Sequence, residues 1–188
     1  VNDIQDIVNS VQKSQAASVQ SFNKLITDVH KPISTSVNTL TDIVNGVECP
    51  ESGGFFLSPG GDQCFKAYVD SSRSWSSAES KCKIHRMELA KPQDPLGLRS
   101  YLNARYGDKG YWLNARGGSG SSYYWRSDDT VLPSNSGLWM PNYPGGRTGS
   151  SYCLAISAYS SHIASNPGRP YSPSTCTNKY YTVCQVVQ

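Results

Sequence analysis

The chain has 188 residues, 37% of them apolar, with twelve Tyr and four Trp. That is bulk enough for one packed domain plus an appendage, and too aromatic for a uniformly disordered chain. A formal charge of +3 without a basic stripe excludes nucleic acid as the expected partner, no apolar run reaches the ~18 residues of a membrane span, and all fourteen carboxylates precede residue 130.

Residues 1–47 hold seven charged residues and a recurring set of apolar ones: Val8, Val11, Val19, Phe22, Ile26, Val29, Ile33, Val37, Leu40, Val44 and Val47. With Gln15 in the one polar gap, the steps alternate between three and four, the pattern of a helix with a single apolar seam. Two pairs of consecutive four-residue steps would relax a left-handed supercoil. A lone helix rich in Ser, Thr, Asn and Val is marginal in water, so the expectation is a homo-oligomer through residues 1–47, a coiled-coil stalk about 60–70 Å long if straight. A trimer is the working stoichiometry, because Gln15, Ser18 and the few flanking charges dictate none. Pro32 in "HKPIS" either kinks this helix or turns it back as a hairpin. The alternative is a helix packed against its own domain.

Residues 48–188 form the second expected region. Six cysteines stand at 49, 64, 82, 153, 176 and 184 without a Cys-x-x-Cys pair, which points to disulfides, an oxidising compartment and a secreted protein rather than to zinc. The start at Val1 reads as a mature product whose targeting peptide has been removed. "CPESGGFFLSPGGDQCFKAYVD" is a hairpin that a Cys49–Cys64 bridge would staple, worth about 3 kcal/mol by loop-closure entropy. In "SSRSWSSAESKCKIH", Trp75, Ala78 and Cys82 share one helical face, and Ser76 with Glu79 has the spacing of a capping box. In "DPLGLRSYLNARYG", Asp94 caps, Pro95 opens the first turn, Leu98, Tyr101, Leu102 and Arg105 follow at helical spacing, and Gly107 stops the helix. "GYWLNAR" and "YTVCQVV" read as strands. Between them runs a long stretch of turns with Trp125, Trp139 and two cysteines.

This order of parts resembles the C-type lectin-like domain in its long form, with the extra N-terminal hairpin. The pieces that carry the resemblance are "CFKAY", "SWSSAESKC", "ELAKP", "GYWLNAR", "YYWRSDDTVL", "YCLAI" and "YYTVCQ", spanning Cys49 to Gln188. It implies an α+β fold of two helices, small antiparallel sheets, a long loop region and three disulfides, preceded here by the long helix or coiled coil. The implied pairs are Cys49–Cys64, Cys82–Cys184 and Cys153–Cys176, whereas counting alone leaves fifteen connectivities. A stalk ahead of such a domain is similar to soluble immune lectins, including those of invertebrates.

Sugar-binding members of that family hold calcium with a Glu-Pro-Asn or Gln-Pro-Asp triplet, a further Glu before a later cysteine, and a Trp-Asn-Asp near the last strand. This chain has Met140-Pro141-Asn142, Ser150-Ser151-Tyr152 and "PYSPSTCTNKYY" at those places. Calcium takes 6–8 oxygens and its affinity follows carboxylate count, so no metal site and no cofactor are expected. Asp128 and Asp129 read as a turn between strands, and Pro141 is expected to keep the family's cis peptide.

From residue 130 onward there are ten Ser, six Tyr and four Asn, with Arg147, Arg169, Lys179 and His162 as the only possible cations. Hydroxyls and aromatic faces suit neutral ligands such as sugar rings, by stacking and direct hydrogen bonds. The candidate ligand-binding residues are Asn142, Tyr143, Arg147, Tyr159, Arg169 and Tyr171. Trp112, Trp125 and Trp139 are expected in the core, and Tyr180 and Tyr181 on a strand. No catalytic residue is assigned, since esterase, zincin and phosphate-loop motifs are missing and His30, His85 and His162 lie far apart. The expected partner is a glycan or cell-surface ligand, with a protein-binding or structural module as the alternative. Polyanion binding through Arg147, Arg169 and Lys179 ranks last, and no Asn-x-Ser/Thr sequon is present.

Overall fold

The computed structural model describes residues 3–5, 7–9, 12–15, 18–28, 49–50, 52–119 and 122–187. Contacts divide the chain into two units, Val1–Gly46 and Val47–Gln188, each treated by itself.

In the first unit the described residues between 3 and 28 are helical and are called α1. Ser18 and Thr27 donate their hydroxyls to the carbonyls of Ser14 and Asn23, which keeps poor helix formers inside the helix. Val8, Val19, Phe22 and Ile26 of the apolar seam are all exposed. The remaining seam positions, and Pro32 with its expected kink or reversal, lie outside the described residues.

The second unit begins with a hairpin of β1 (Phe55–Leu57) and β2 (Cys64–Arg73). The Ser58 hydroxyl closes its turn, accepting from the amides of Asp62 and Gln63. Helix α2 (Trp75–Ile84) buries Trp75, Ala78 and Cys82, the face its spacing predicts. Its start differs from the capping-box expectation. The N-cap is Ser74, Ser74 Oγ meets Ser77 Oγ at 2.9 Å, and Glu79 pairs forward with Lys83 at 3.0 Å. Trp75 is needed in the core, so the helix starts before Ser76 can act as its cap.

After β3 (Met87–Leu89), helix α3 (Pro95–Tyr106) follows its local signals. Asp94 Oδ1 accepts from the Gly97 amide at 2.9 Å, and Gly107 ends the helix at φ 75°. Gly97 sits mid-turn because a side chain there would clash with the Asp94 carboxylate and Pro59. The other strands are β4 (Lys109–Gly117), β5 (Tyr123–Trp125), β6 (Val131–Leu132), β7 (Tyr152–Ala158), β8 (Tyr171–Thr175) and β9 (Tyr180–Val186). A short helix, α4 (Ser160–Ser165), adds a third to the two expected in this unit.

Instead of separate small sheets, the nine strands join into one network, ordered β1-β2-β9-β4-β5-β6, with β3 on β9, β7 on β4 and β8 on β7. All pairs are antiparallel except β4 with β9, where Tyr111 faces Tyr181 and Trp112 faces Thr182. One core gathers Leu98 and Leu102 of α3 with Leu113, Tyr123, Trp125, Trp139 and Ile156; a second packs Trp75 and Trp112 around the Cys82–Cys184 bridge. Three of the four core indoles also find an acceptor: Trp75 Nε1 donates to Leu113 O, Trp112 Nε1 to Arg73 O and Trp139 Nε1 to Pro133 O. The disulfides pair Cys49–Cys64, Cys82–Cys184 and Cys153–Cys176.

Candidate functional site

The loop after Trp139 is built outward from a buried root. Trp139 and Met140 are buried, and the stretch Leu138–Met140 lies along Tyr171: Tyr171 N donates to Leu138 O at 3.0 Å and Met140 N to Tyr171 O at 2.9 Å. Beyond this anchor the chain turns into solvent. Asn142 is exposed in a left-handed conformation, φ 67°, while Tyr143 N returns to Met140 O and Arg147 N to Pro144 O, both at 3.0 Å. The cis peptide of this loop precedes Pro144, not Pro141 as expected; the turn after Pro141 is made by Asn142.

Three candidates meet on this loop. Arg147 places its guanidinium 5.0 Å from the centroid of the Tyr143 ring and donates Nη1 to the Tyr143 hydroxyl at 3.0 Å. Asn142 precedes them, its side chain making no hydrogen bond among the described residues. From beneath, the buried Tyr123 donates its hydroxyl to Arg147 O at 2.7 Å, locking the loop to the core. Burial raises the Tyr123 phenol above its ordinary range, so it stays a protonated donor. Gly117 of β4 allows the close approach at the loop's far end, since a side chain there would lie 2.5 Å from Gly149 O.

The other three candidates lie elsewhere. Tyr159 follows β7 and its ring meets His162 edge-on at 5.3 Å, while His162 Nδ1 bonds Ser157 Oγ at 2.6 Å. Seven-residue β7, about 20 Å end to end, separates Tyr159 from the stretch that follows Gly149. Arg169 is exposed beside Tyr159's end of β7, where Ser157 N donates to Pro170 O. Tyr171, expected as an exposed ligand contact, belongs to the core instead: it is 2% exposed and packs on Trp125 and Trp139. Its pairing with Ile156 in the β7–β8 ladder turns the ring inward, although Pro, Gly and Ser surround it in sequence.

A residue that sequence reasoning passed over holds this second end together. Arg99 of α3 is buried, and its guanidinium donates to the carbonyls of Asn166, Pro167 and Arg169. Among the described residues no carboxylate pairs with it; desolvation lowers its pKa, and three backbone oxygens take the place of a counter-ion.

The loop does not fit a calcium ion. Met140 offers a buried thioether as its side-chain donor, and the loop from 141 to 151 adds only the Asn142 amide and the hydroxyls of Tyr143, Thr148, Ser150 and Ser151 as side-chain oxygens. Among the described residues no three His, Cys, Asp or Glu side chains come together. Of the two carboxylates upstream in sequence, Asp128 is engaged by Lys91 and Thr130, and Asp129 is a single exposed side chain at a left-handed turn position, φ 53°. Hydroxyls and one amide do not replace the carboxylates that a calcium site requires.

Residues 71–186 match the family model described as the lectin C-type domain. No curated protein matches the chain by sequence. Among solved structures the chain is similar to the Ca2+-independent C-type lectin SPL-2 from Saxidomus purpuratus, at 19% identity and a TM-score of 0.54, covering 73% of this chain and 92% of that one. The SPL-1–GlcNAc complex is similar at 18% identity and TM-score 0.54, covering 73% and 94%. The C-type lectin domain of murine dendritic cell inhibitory receptor 2, solved with an N-glycan, is similar at 18% identity and TM-score 0.55, covering 75% and 100%. At such identities the likeness establishes the fold alone.

Proposed function

Because this chain belongs to the C-type lectin domain family, we propose that it is a recognition protein that binds glycans by direct contact, without a calcium bridge. The observation that carries this reading is the Asn142–Tyr143–Arg147 loop: an exposed amide and an exposed guanidinium beside a half-buried aromatic ring, with no carboxylate to hold a metal. A sugar ring can stack on Tyr143 while its hydroxyls bond to Asn142 and Arg147. That similar folds include a lectin named as Ca2+-independent, and others solved with GlcNAc or an N-glycan, supports the reading. The protein is proposed to be secreted, in keeping with its three disulfides. The exposed seam of α1 is proposed to gather copies, so that weak single sites gain avidity on microbial or host surfaces, as in innate-immune recognition. Clustering raises apparent affinity by about 10²–10⁴ when the geometry allows simultaneous engagement.

The test is a glycan array probed with the full chain, first with calcium and then with EDTA. Binding that is indifferent to the chelator is the expected result. Binding lost in EDTA ends the calcium-free reading, and silence in both conditions ends the glycan reading. A stoichiometric complex with a protein partner that survives deglycosylation would then make the domain a protein-binding module.

A further inference from the structure

The sequence scatters its cations, but the fold gathers one set on a face away from the loop. Strand β2 carries Lys66 and Tyr68 two positions apart, hence on the same side of the strand. Helix α2 brings Lys81 to the same ring. Lys81 Nζ lies 4.7 Å from the Tyr68 centroid and Lys66 Nζ 5.4 Å from it, with Lys66 also 4.7 Å from the Phe55 ring. His85, at the C-cap of α2, stacks on Tyr68 at 5.4 Å and 17° between planes. Arg86 follows, exposed, at a left-handed φ of 57° that favours Gly or Asn, so a cation occupies a position with a backbone cost.

The nearby carboxylates are already engaged. Glu79 pairs with Lys83 and Asp70 with Arg73, each at 3.0 Å, and no ion pair among the described residues includes Lys66, Lys81 or Arg86. Basic residues in the last turn of α2 offset its dipole, which accounts for Lys81 and Lys83 but not for Lys66 on a strand. Two ammonium groups held over one phenol ring repel each other, and an anion between them relieves that repulsion.

We infer that Lys66, Lys81, His85 and Arg86 around Tyr68 form a binding face for a sulfated polysaccharide, separate from the Asn142–Tyr143–Arg147 loop. The face is open rather than enclosed, which suits a linear polyanion running across β2 and α2 more than a small anion. One exposed aliphatic side chain at its edge, Ile84, is too little to hold a membrane. The sulfates sit at the ammonium groups, and the imidazole and guanidinium extend the track past the end of the helix.

The experiment is retention of the full chain on immobilised heparin, with the salt dependence of binding measured in solution for the wild type, for Lys66→Gln/Lys81→Gln, and for Arg105→Gln/Arg126→Gln as a charge-matched control. The expected result is salt-sensitive binding whose log–log salt slope shrinks by about two in Lys66→Gln/Lys81→Gln and stays near wild type in the control. Equal losses in both variants, wild-type binding in Lys66→Gln/Lys81→Gln, or no retention of the wild type each overturn the inference. Binding to phosphatidylserine vesicles without binding to heparin overturns it as well. The neutral-glycan array is read separately: Lys66→Gln/Lys81→Gln keeps its array signal, so the face and the loop can fail independently.

Discussion

Arg147 lies over Tyr143, its guanidinium 5.0 Å from the ring centroid and its Nη1 3.0 Å from the phenol oxygen. The pair presents one flat edge-and-face surface on a loop rooted in the core through Tyr123. If sugars bind there, Tyr143→Ala removes the stacking face and lowers glycan affinity at least ~10-fold, a loss of about 1.4 kcal/mol, and because the ring is half-buried against the core the melting temperature falls modestly as well. Arg147→Lys keeps the charge but loses the planar stack, and affinity falls about 2–5-fold. Titration of each variant with an array-identified glycan, beside a thermal melt, checks both. Unchanged affinity in Tyr143→Ala would move the site off this loop.

Tyr111 of β4 is fully buried and its hydroxyl has no hydrogen-bond partner among the described residues. Tyr111→Phe deletes that unsatisfied group and keeps the ring, so the variant is expected to gain about 1 kcal/mol. The measurement is the shift of the denaturant midpoint at constant slope. A loss of stability would mean that an ordered water serves the phenol.

Most local patterns were legible in the sequence where neighbours in the chain are also neighbours in space, the Ser76–Glu79 capping box being the exception. The Trp75–Ala78–Cys82 face, the Asp94 cap and the Gly107 stop depend on contacts within a few residues, and the structure has all three. Tyr171 misled for the opposite reason. Its surroundings in sequence are those of an exposed turn, and only its ladder with Ile156 and the crossing of Leu138–Met140 bury it. The Lys66–Lys81 convergence required α2 to pack on β9, the strand beside β2. Of the six proposed contact residues, three fall on one loop, two lie at the other end of β7 and one is in the core. Spacing alone carried no information on that split.

Asp128 is held by Lys91 and by the hydroxyl and amide of Thr130, and these hydrogen bonds lower its pKa to about 2. A folded-state value below that of a free aspartate, about 4, means the interaction stabilises the fold above pH ~4 and is lost as the pH falls toward 2. Asp70 and Asp108 are lowered as well and contribute to the same acid limb. In Lys91→Met the limb between pH 4 and 2 becomes shallower than in the wild type. Chemical denaturation at a series of pH values reads the difference; parallel curves would deny the lysine this role.

The Cys82–Cys184 bridge closes 102 residues and Cys49–Cys64 closes 15. Loop-closure entropy values them at about 4.7 and about 3 kcal/mol. The Cys82→Ala/Cys184→Ala variant is therefore expected to lose more stability than Cys49→Ala/Cys64→Ala, and the gap widens because the longer bridge sits inside the core with Trp75 and Trp112. Midpoints of the two double variants decide the order.

Arg99 gives the sharpest test of how the far end of β7 is held. Its guanidinium serves carbonyls 67 to 70 residues away, all in the turn that carries Arg169. Arg99→Leu fills much of the volume but leaves the carbonyls of Asn166, Pro167 and Arg169 without their donor, at a cost of about 1–3 kcal/mol. Arg99→Lys keeps a charge yet cannot reach all three with one ammonium, so it recovers only part of that loss. Hydrogen exchange separates the consequences: Ser157 N, which donates to Pro170 O, and Asn166 N, which donates to His162 O, should lose protection first. The Tyr143–Arg147 loop is anchored independently through Tyr123, and its amides should keep theirs in both variants. Loss of protection in that loop too would mean that the two ends of β7 open as one unit.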